Sequence, residues 1–249
     1  MDYPDYFARF YDIIYDSIRS HVDTDFYLKQ IRQTKGPVLE IGCGTGRFFS
    51  KAIKQGADIY GIDVSKSMTD VLLSKVESRY HDRISIQGAV DFQFPFKFDL
   101  IIVPFRVYSH LLTVEDQMAA LNNAFDHLSE EGKLIFDVYV PAPAMIASGL
   151  SNVIDFEGEY EPGRKFSRTV DMTADIVNQI SDITMTFKWD QEDGREIVEK
   201  WNFKFRFYFR YEIEHLISLS KLTLEKIFGD FYGGELKEDS KEFVVICRR

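Results

Sequence analysis

The sequence has no apolar run approaching the ~20 residues that a bilayer-spanning helix needs, and no basic-then-apolar leader stands at its start. A soluble, cytoplasmic protein with no membrane partner is therefore expected. Cysteine is scarce: Cys43 and Cys247 lie far apart, each behind a short apolar run. Their spacing matches no metal-ligand pattern, so both are expected to be reduced and no metal is expected. Basic charge is also in deficit, with 30 Lys and Arg against 40 Asp and Glu, net −10. Nucleic-acid affinity rests on clustered Lys and Arg, so nucleic acid is not an expected partner. Repeats, low-complexity tracts and flexible linkers are absent. The 45% hydrophobic content of 249 residues is ample for one large core with a small appendage.

The chain is organised around Val38-Leu39-Glu40-Ile41-Gly42-Cys43-Gly44-Thr45-Gly46. A short apolar run ends in alternating glycines and then gives way to a helical pattern through Phe48, Phe49, Ala52 and Ile53, closing at Gly56. This reads as strand, tight turn and helix start. Glycines suit such a turn because it needs unusual backbone angles and brings a ligand against bare N–H groups. A second strand, residues 58–63, ends on Asp63, where a carboxylate can accept both hydroxyls of a ribose. Dinucleotide loops place a third glycine at the sixth position, which here is Arg47.

The Gly-x-Gly-x-Gly run behind Glu40 resembles motif I of the class I S-adenosylmethionine-dependent methyltransferases. Val64-Ser65-Lys66-Ser67-Met68 resembles that family's Asp-x-Ser-x-x-Met, counted from Asp63, whose methionine packs on the adenine ring. Ser65 equally reads as the cap of the helix carrying Val71, Leu72 and Val76. Upstream, Phe7, Phe10, Tyr11, Ile14, Tyr15 and Ile18 form an aromatic helical stripe after Pro4. Within it Phe10-Tyr11-Asp12 resembles the segment that folds a helix over the cofactor in many small-molecule methyltransferases. A second helix is expected near residues 23–33. The resemblance implies S-adenosyl-L-methionine as cofactor, held by Tyr11, Glu40, Gly42, Cys43, Gly44, Gly46, Asp63, Ser65 and Met68, with Ala89, Val90 and Pro104 further along the chain.

One departure stands after the third strand, residues 83–87. Many relatives carry an acid there for the adenine amino group, but this chain has Gly88 and Ala89. Either main-chain and apolar contacts hold the adenine or Asp91 is recruited. The strongly apolar fourth strand, residues 98–103, leads to Arg106, Tyr108 and His110 at the sheet end where ligands sit. His110 is the expected general base, with Tyr108 beside it, because a neutral imidazole can accept a proton near pH 7. Alternatively His110 is a packed or capping residue. Thr113 caps a helix with Met118, Leu121, Phe125 and Leu128 as its buried stripe; His127 is expected at its solvent margin, and a fifth strand covers residues 133–140.

Beyond Pro141 the pattern changes to period two: Val170-x-Met172-x-Ala174, Ile183 to Trp189, and Trp201 to Phe209, with Asp193-Gly194 in a turn. These read as a small antiparallel sheet. The charged face of its last strand, Asn202, Lys204, Arg206, Tyr208 and Arg210, is either solvated or roofs the site. A helix near residues 211–219 and strands at 222–231 and 243–247 close the chain.

The expected fold is α/β: a Rossmann-like, doubly wound, mostly parallel seven-stranded sheet with an antiparallel final strand, plus an antiparallel lid inserted after the fifth strand. The expected division is a helical cap over residues 1–35, a core over 36–145 and 211–249, and a lid over 146–210. The insert's placement resembles that in amino-sugar N,N-dimethyltransferases. The implied activity is direct methyl transfer to a small-molecule N or O nucleophile, with Arg106, Tyr139, Arg206 and Tyr208 as candidate acceptor-binding residues and homodimerisation left open. Two other classes stay in view. A nicotinamide oxidoreductase would use a similar sheet, though Arg47 and the Ser65–Met68 pairing speak against it. A non-catalytic binding module is favoured by the missing acid near Ala89.

Overall fold

The computed structural model describes residues 3–18 and 21–249. Its main sheet has strands β1 (Val38–Ile41), β2 (Ile59–Asp63), β3 (Ile84–Ile86), β4 (Phe98–Val103), β5 (Leu128–Tyr139), β10 (Thr223–Phe228) and β11 (Glu242–Arg248). Their order is β10-β11-β5-β4-β1-β2-β3. The pairs β1/β2, β1/β4, β2/β3 and β4/β5 are parallel, while β11 runs antiparallel to both β5 and β10. The sheet is thus mostly parallel, with one reversed strand. Because β1 lies between β2 and β4, the chain leaves it in opposite directions and opens a crevice at the carboxyl ends of β1 and β4.

Strand alternation explains how both faces of the sheet are covered. Leu39 and Ile41 point into one hydrophobic cluster with Ile62, Phe98, Ile101 and Phe136. Val38 points into the opposite cluster with Ile59, Leu100, Ile102 and Ile135. Helices α5 (Val114–His127) and α7 (Arg210–Leu219) cover the first face, and α2 (Val22–Gln33) and α3 (Phe49–Lys54) the second. Strands buried on both faces read as continuous apolar runs, which is why β1 and β4 stand out in the sequence.

The fifth strand begins at Leu128 rather than near residue 133. Residues 129–132 bulge out of the pairing, since Phe98 faces Leu128 but Leu100 faces Lys133. His127 is not at a solvent margin: it is 7% exposed and packs on Phe92 at 4.6 Å. Its Nδ1 lies 2.9 Å from the Asn123 carbonyl, and the Phe94 N–H donates to Nε2 at 3.4 Å. That pair of partners selects the neutral ring with the proton on Nδ1.

The inserted sheet has four antiparallel strands, β6 (Leu150–Glu161), β7 (Arg164–Asp175), β8 (Ile180–Asp190) and β9 (Glu196–Arg206), in that order. β6 is hidden in the sequence because its pairing shifts register at three places, which breaks the period-two pattern. β9 ends at Arg206, so the strand expected to reach Phe209 stops short, and the buried Phe207 and Tyr208 return to the core. Helix α1 (Asp5–Ile18) lies between the two sheets, with Phe7, Phe10 and Ile14 packed on Phe166, Phe187 and Trp189 of the lid. Phe10 stacks on Phe166 at 4.1 Å. Among the described residues no helix is long and apolar enough to cross a membrane. Cys43 and Cys247 are both free and buried.

Candidate active site

A cavity of about 400 Å³, within the usual range for small-molecule sites, lies at the crevice between the main sheet, α1 and the lid. Its floor is the loop after β1. Gly42, Gly44 and Gly46 all have left-handed φ, +76°, +51° and +88°, a region that favours glycine. The Gly42 and Cys43 N–H groups donate to the Ile62 carbonyl at 2.8 and 3.0 Å, and Gly44 N–H donates to Asp63 Oδ2 at 2.8 Å. A Cβ on Gly42 would stand 2.4 Å from Val107 Cγ2. Gly42→Ala is therefore expected to cost about 1–3 kcal/mol from overpacking and strain. Adding Val107→Ala should recover only part of it, which paired urea denaturations of the single and double variants would measure.

Asp63 ends β2 and is 8% exposed. Burial raises its carboxyl, and the backbone N–H groups of Ser65, Gly44 and Val64 act against that. Glu40 is more deeply buried, at 1% exposure, and burial followed by the Asp63 charge raises it well above the usual range. Glu40 Oε2 has no hydrogen-bond partner among the described residues. Since a buried carboxylate is costly unless paired, this oxygen at the cavity wall is free to accept from a donor. Helix α1 closes over the loop: Thr45 Oγ1 donates to Asp12 Oδ1 at 2.7 Å, and Lys75 pairs with Asp12. Arg47 turns to helix α2, donating to both Asp23 oxygens at 2.7 and 2.8 Å.

The other wall follows β4. Phe105 and Arg106 both have left-handed φ, +61° and +62°, although neither is glycine. Their N–H groups donate to the two oxygens of the fully buried Asp137, at 2.9 and 2.8 Å, and Tyr27 Oη donates to Asp137 Oδ1 at 2.6 Å. The short 3-10 helix Val107–His110 follows. His110 Nε2 lies 3.1 Å from Tyr3 Oη, while its Nδ1 has no partner among the described residues. Burial lowers His110 to about 4, so it is a neutral ring near pH 7. The Arg106 guanidinium donates to Glu242 at 2.8 Å and lies 4.7 Å over the Tyr139 ring.

The cavity brings together Tyr11, Glu40, Gly42, Cys43, Gly44, Asp63 and Met68 of the expected cofactor set. Arg106, His110 and Tyr139, of the expected acceptor and catalytic set, also line it. The remaining expected residues are elsewhere. Gly46 serves packing, since a Cβ there would stand 2.3 Å from Leu72 Cδ1. Ser65 caps helix α4 (Lys66–Lys75), accepting from Met68 N–H at 3.5 Å. Ala89 and Val90 pack against the core, and buried Pro104 starts the turn into Val107. Tyr108, 3% exposed, donates to the Gln117 carbonyl at 3.2 Å, which removes it from the reacting space. Tyr208 is fully buried and packs on Tyr108 with ring centroids 5.8 Å apart. Arg206 pairs with Glu212 at 2.6 Å and lies outside the cavity.

Three contributors escaped the sequence reading: Asp137, Tyr3 and Arg168. Arg168 on β7 is 1% exposed, donates to both oxygens of Asp155 at 2.9 and 2.6 Å, and reaches Tyr15 Oη at 3.3 Å. Both Arg168 and Asp137 interrupt apolar positions of a strand, and such an intruding charge is the available sequence signal.

Residues 38–132, which hold the loop, Asp63 and the β4 wall, match the family described as the methyltransferase domain. Over that stretch the chain is similar to a methyltransferase domain. "Putative methyltransferase YqeM" of Bacillus subtilis (strain 168) is 30% identical over 135 residues, 51% of this chain and 53% of the relative. The chain thus spans about half the length of the curated relatives it matches. An S-adenosylmethionine-dependent methyltransferase from Clostridium acetobutylicum ATCC 824 has the same fold, with a TM-score of 0.76, 15% identity and 98% of each chain covered. The sugar N-methyltransferase KedS8 from Streptoalloteichus sp ATCC 53650 gives a TM-score of 0.74 at 15% identity, covering 96% of this chain and 93% of its own. Both likenesses include the lid, beyond the limits of the methyltransferase domain itself.

Proposed function

We propose that the chain is an S-adenosylmethionine-dependent methyltransferase acting on a small-molecule nitrogen nucleophile. The observation that carries this reading is the unpartnered Glu40 Oε2 buried beside Asp63 at a glycine loop. A site with two buried carboxylates suits a cofactor bearing an ammonium and ribose hydroxyls, and disfavours a pyrophosphate. When bound, S-adenosylmethionine supplies a sulfonium methyl carbon that a lone pair takes by direct displacement. Glu40 is assigned to the cofactor's ammonium, Asp63 to its ribose and Met68 to its adenine. Tyr11 and helix α1 exclude water from that end.

The proton inventory favours nitrogen over an alcohol. His110 is lowered to about 4 by burial, and burial pushes the Tyr3 and Tyr139 phenols up. Among these groups no strong base stands ready near pH 7, so the residues orient an amine that has lost its proton to water before entering and arrives with its lone pair free. KedS8 is named a sugar N-methyltransferase, which is consistent with a nitrogen acceptor. The test is calorimetric titration with S-adenosylmethionine and, separately, a nicotinamide dinucleotide, repeated on Asp63→Ala. Micromolar binding of the first alone, lost in the variant, is expected. Binding of the dinucleotide alone would replace this reading with an oxidoreductase.

A further inference from the structure

The lid's inner face divides along its strands into two halves with different tasks. At one end, Phe166, Phe187 and Trp189 are covered by helix α1, which also touches Met185 and Trp201 at the boundary, with the Phe7 and Trp201 rings 4.7 Å apart. At the other, two cross-strand rows face the cavity. Val153, Val170, Met185 and Trp201 lie opposite one another across β6, β7, β8 and β9. Leu150, Met172, Ile183 and Phe203 form the next row. These side chains are apolar but for the Trp201 indole N–H, a donor, and none carries a hydroxyl, amide or charge. The two charged lid residues beside them, Arg168 and Asp155, are paired with each other: Arg168 Nε and Nη2 donate to the Asp155 oxygens, and Nη1 reaches Tyr15. Opposite the lid, hydrogen-bonding capacity lies at Tyr3, His110, Tyr139 and Arg106, the last already paired with Glu242.

From this we infer that the acceptor is a hydrophobic amine, an aromatic or alkyl body bearing one nucleophilic nitrogen, and not a hydroxylated sugar. The inference rests on the methyl-transfer reading above and narrows its substrate. A sugar ring pressed on these rows would strip water from hydroxyls that find one donor, the Trp201 indole N–H, and no acceptor there, while an apolar ring gains by burial. The methionine side chains add adaptable contacts, so several ring shapes fit the same roof. The neutral His110 and Tyr3 pair is the polar mark against which the nitrogen is aligned.

The experiment is calorimetric titration of the full chain, saturated with S-adenosylhomocysteine to prevent turnover, with 2-phenylethylamine and with a methyl aminohexopyranoside. The phenylethylamine is expected to bind at least tenfold more tightly. Met185→Gln should reduce that preference at least fivefold, with circular dichroism and S-adenosylhomocysteine binding checking that the variant is folded. Equal or tighter binding of the amino sugar overturns the inference, as does a chain that takes S-adenosylhomocysteine and neither amine. Failure to bind S-adenosylhomocysteine overturns the methyl-transfer reading separately. Both amines are then titrated into the free chain, where a preference for phenylethylamine supports the apolar chamber and no preference overturns it.

Discussion

Glu40→Gln is expected to stabilise the ligand-free protein at neutral pH while weakening S-adenosylmethionine binding. The carboxyl is 1% exposed, has an unpartnered Oε2 and sits near the Asp63 charge, so its ionised form is penalised by burial first and by Asp63 second. Its folded value is raised above the unfolded one, about 4.3. The stability contribution of a raised acid is fully present below the unfolded value and lost as pH rises through the folded value. Glutamine mimics the protonated form at every pH. The variant and the parent should therefore melt together near pH 4 and diverge as pH rises, the variant gaining about 1–2 kcal/mol at pH 7, or roughly 2–8 °C for a chain of this size. Affinity should fall on the order of 10- to 100-fold, the worth of a charge-assisted hydrogen bond. Thermal melts from pH 4 to 8 with and without the cofactor measure both. A melting difference that does not change with pH would mean that Glu40 is already satisfied in the free protein.

Such opposed effects on stability and binding would mark this carboxylate as a ligand receptor and not as part of the scaffold. The same logic separates what the sequence disclosed from what it hid. The glycine loop, Asp63 and β1, β2 and β4 were legible because their signals are local: left-handed turns require glycine, and doubly buried strands require apolar runs. Residues 104–110 were legible as a place but not as a set of orientations. Tyr108 and His110 are two apart on a short 3-10 helix, and one enters the core while the other lines the cavity. No periodicity over so few residues distinguishes them. Tyr208 was misassigned to a strand face because β9 stops at Arg206, a boundary set by tertiary packing of Phe207 and not by local pattern. The adenine-side expectation at Ala89 and Val90 came from the family's spacing, whereas here both side chains turn into the core.

Asp137→Ala carries the largest expected loss of stability. In β5 the run Leu134-Ile135-Phe136-Asp137-Val138 places one carboxylate inside an otherwise apolar stretch. It persists there because its oxygens accept from Phe105 N–H, Arg106 N–H and Tyr27 Oη. Those two N–H groups converge on one carboxylate only because both residues are left-handed, a conformation costing roughly 1–2 kcal/mol for each non-glycine. Asp137 thus holds the strained turn that carries Arg106 and His110 to the cavity. Alanine would leave two amides and a phenol unmet at about 1–3 kcal/mol each, partly offset by relaxation of the turn. The net loss should be on the order of 3 kcal/mol, a fall of roughly 6–12 °C in melting temperature. Asn should be intermediate, since one of its ends is a donor facing a donor. Tyr27→Phe, which removes a single partner, should cost about 1 kcal/mol. Urea denaturation of the three variants orders them; an Asp137→Ala cost no greater than that of Tyr27→Phe would show that the turn keeps its shape unaided. Where the variant remains folded, affinity for 2-phenylethylamine should fall more than affinity for S-adenosylhomocysteine, because the turn shapes the cavity wall at Arg106 and His110 while Glu40 and Asp63 belong to β1 and β2.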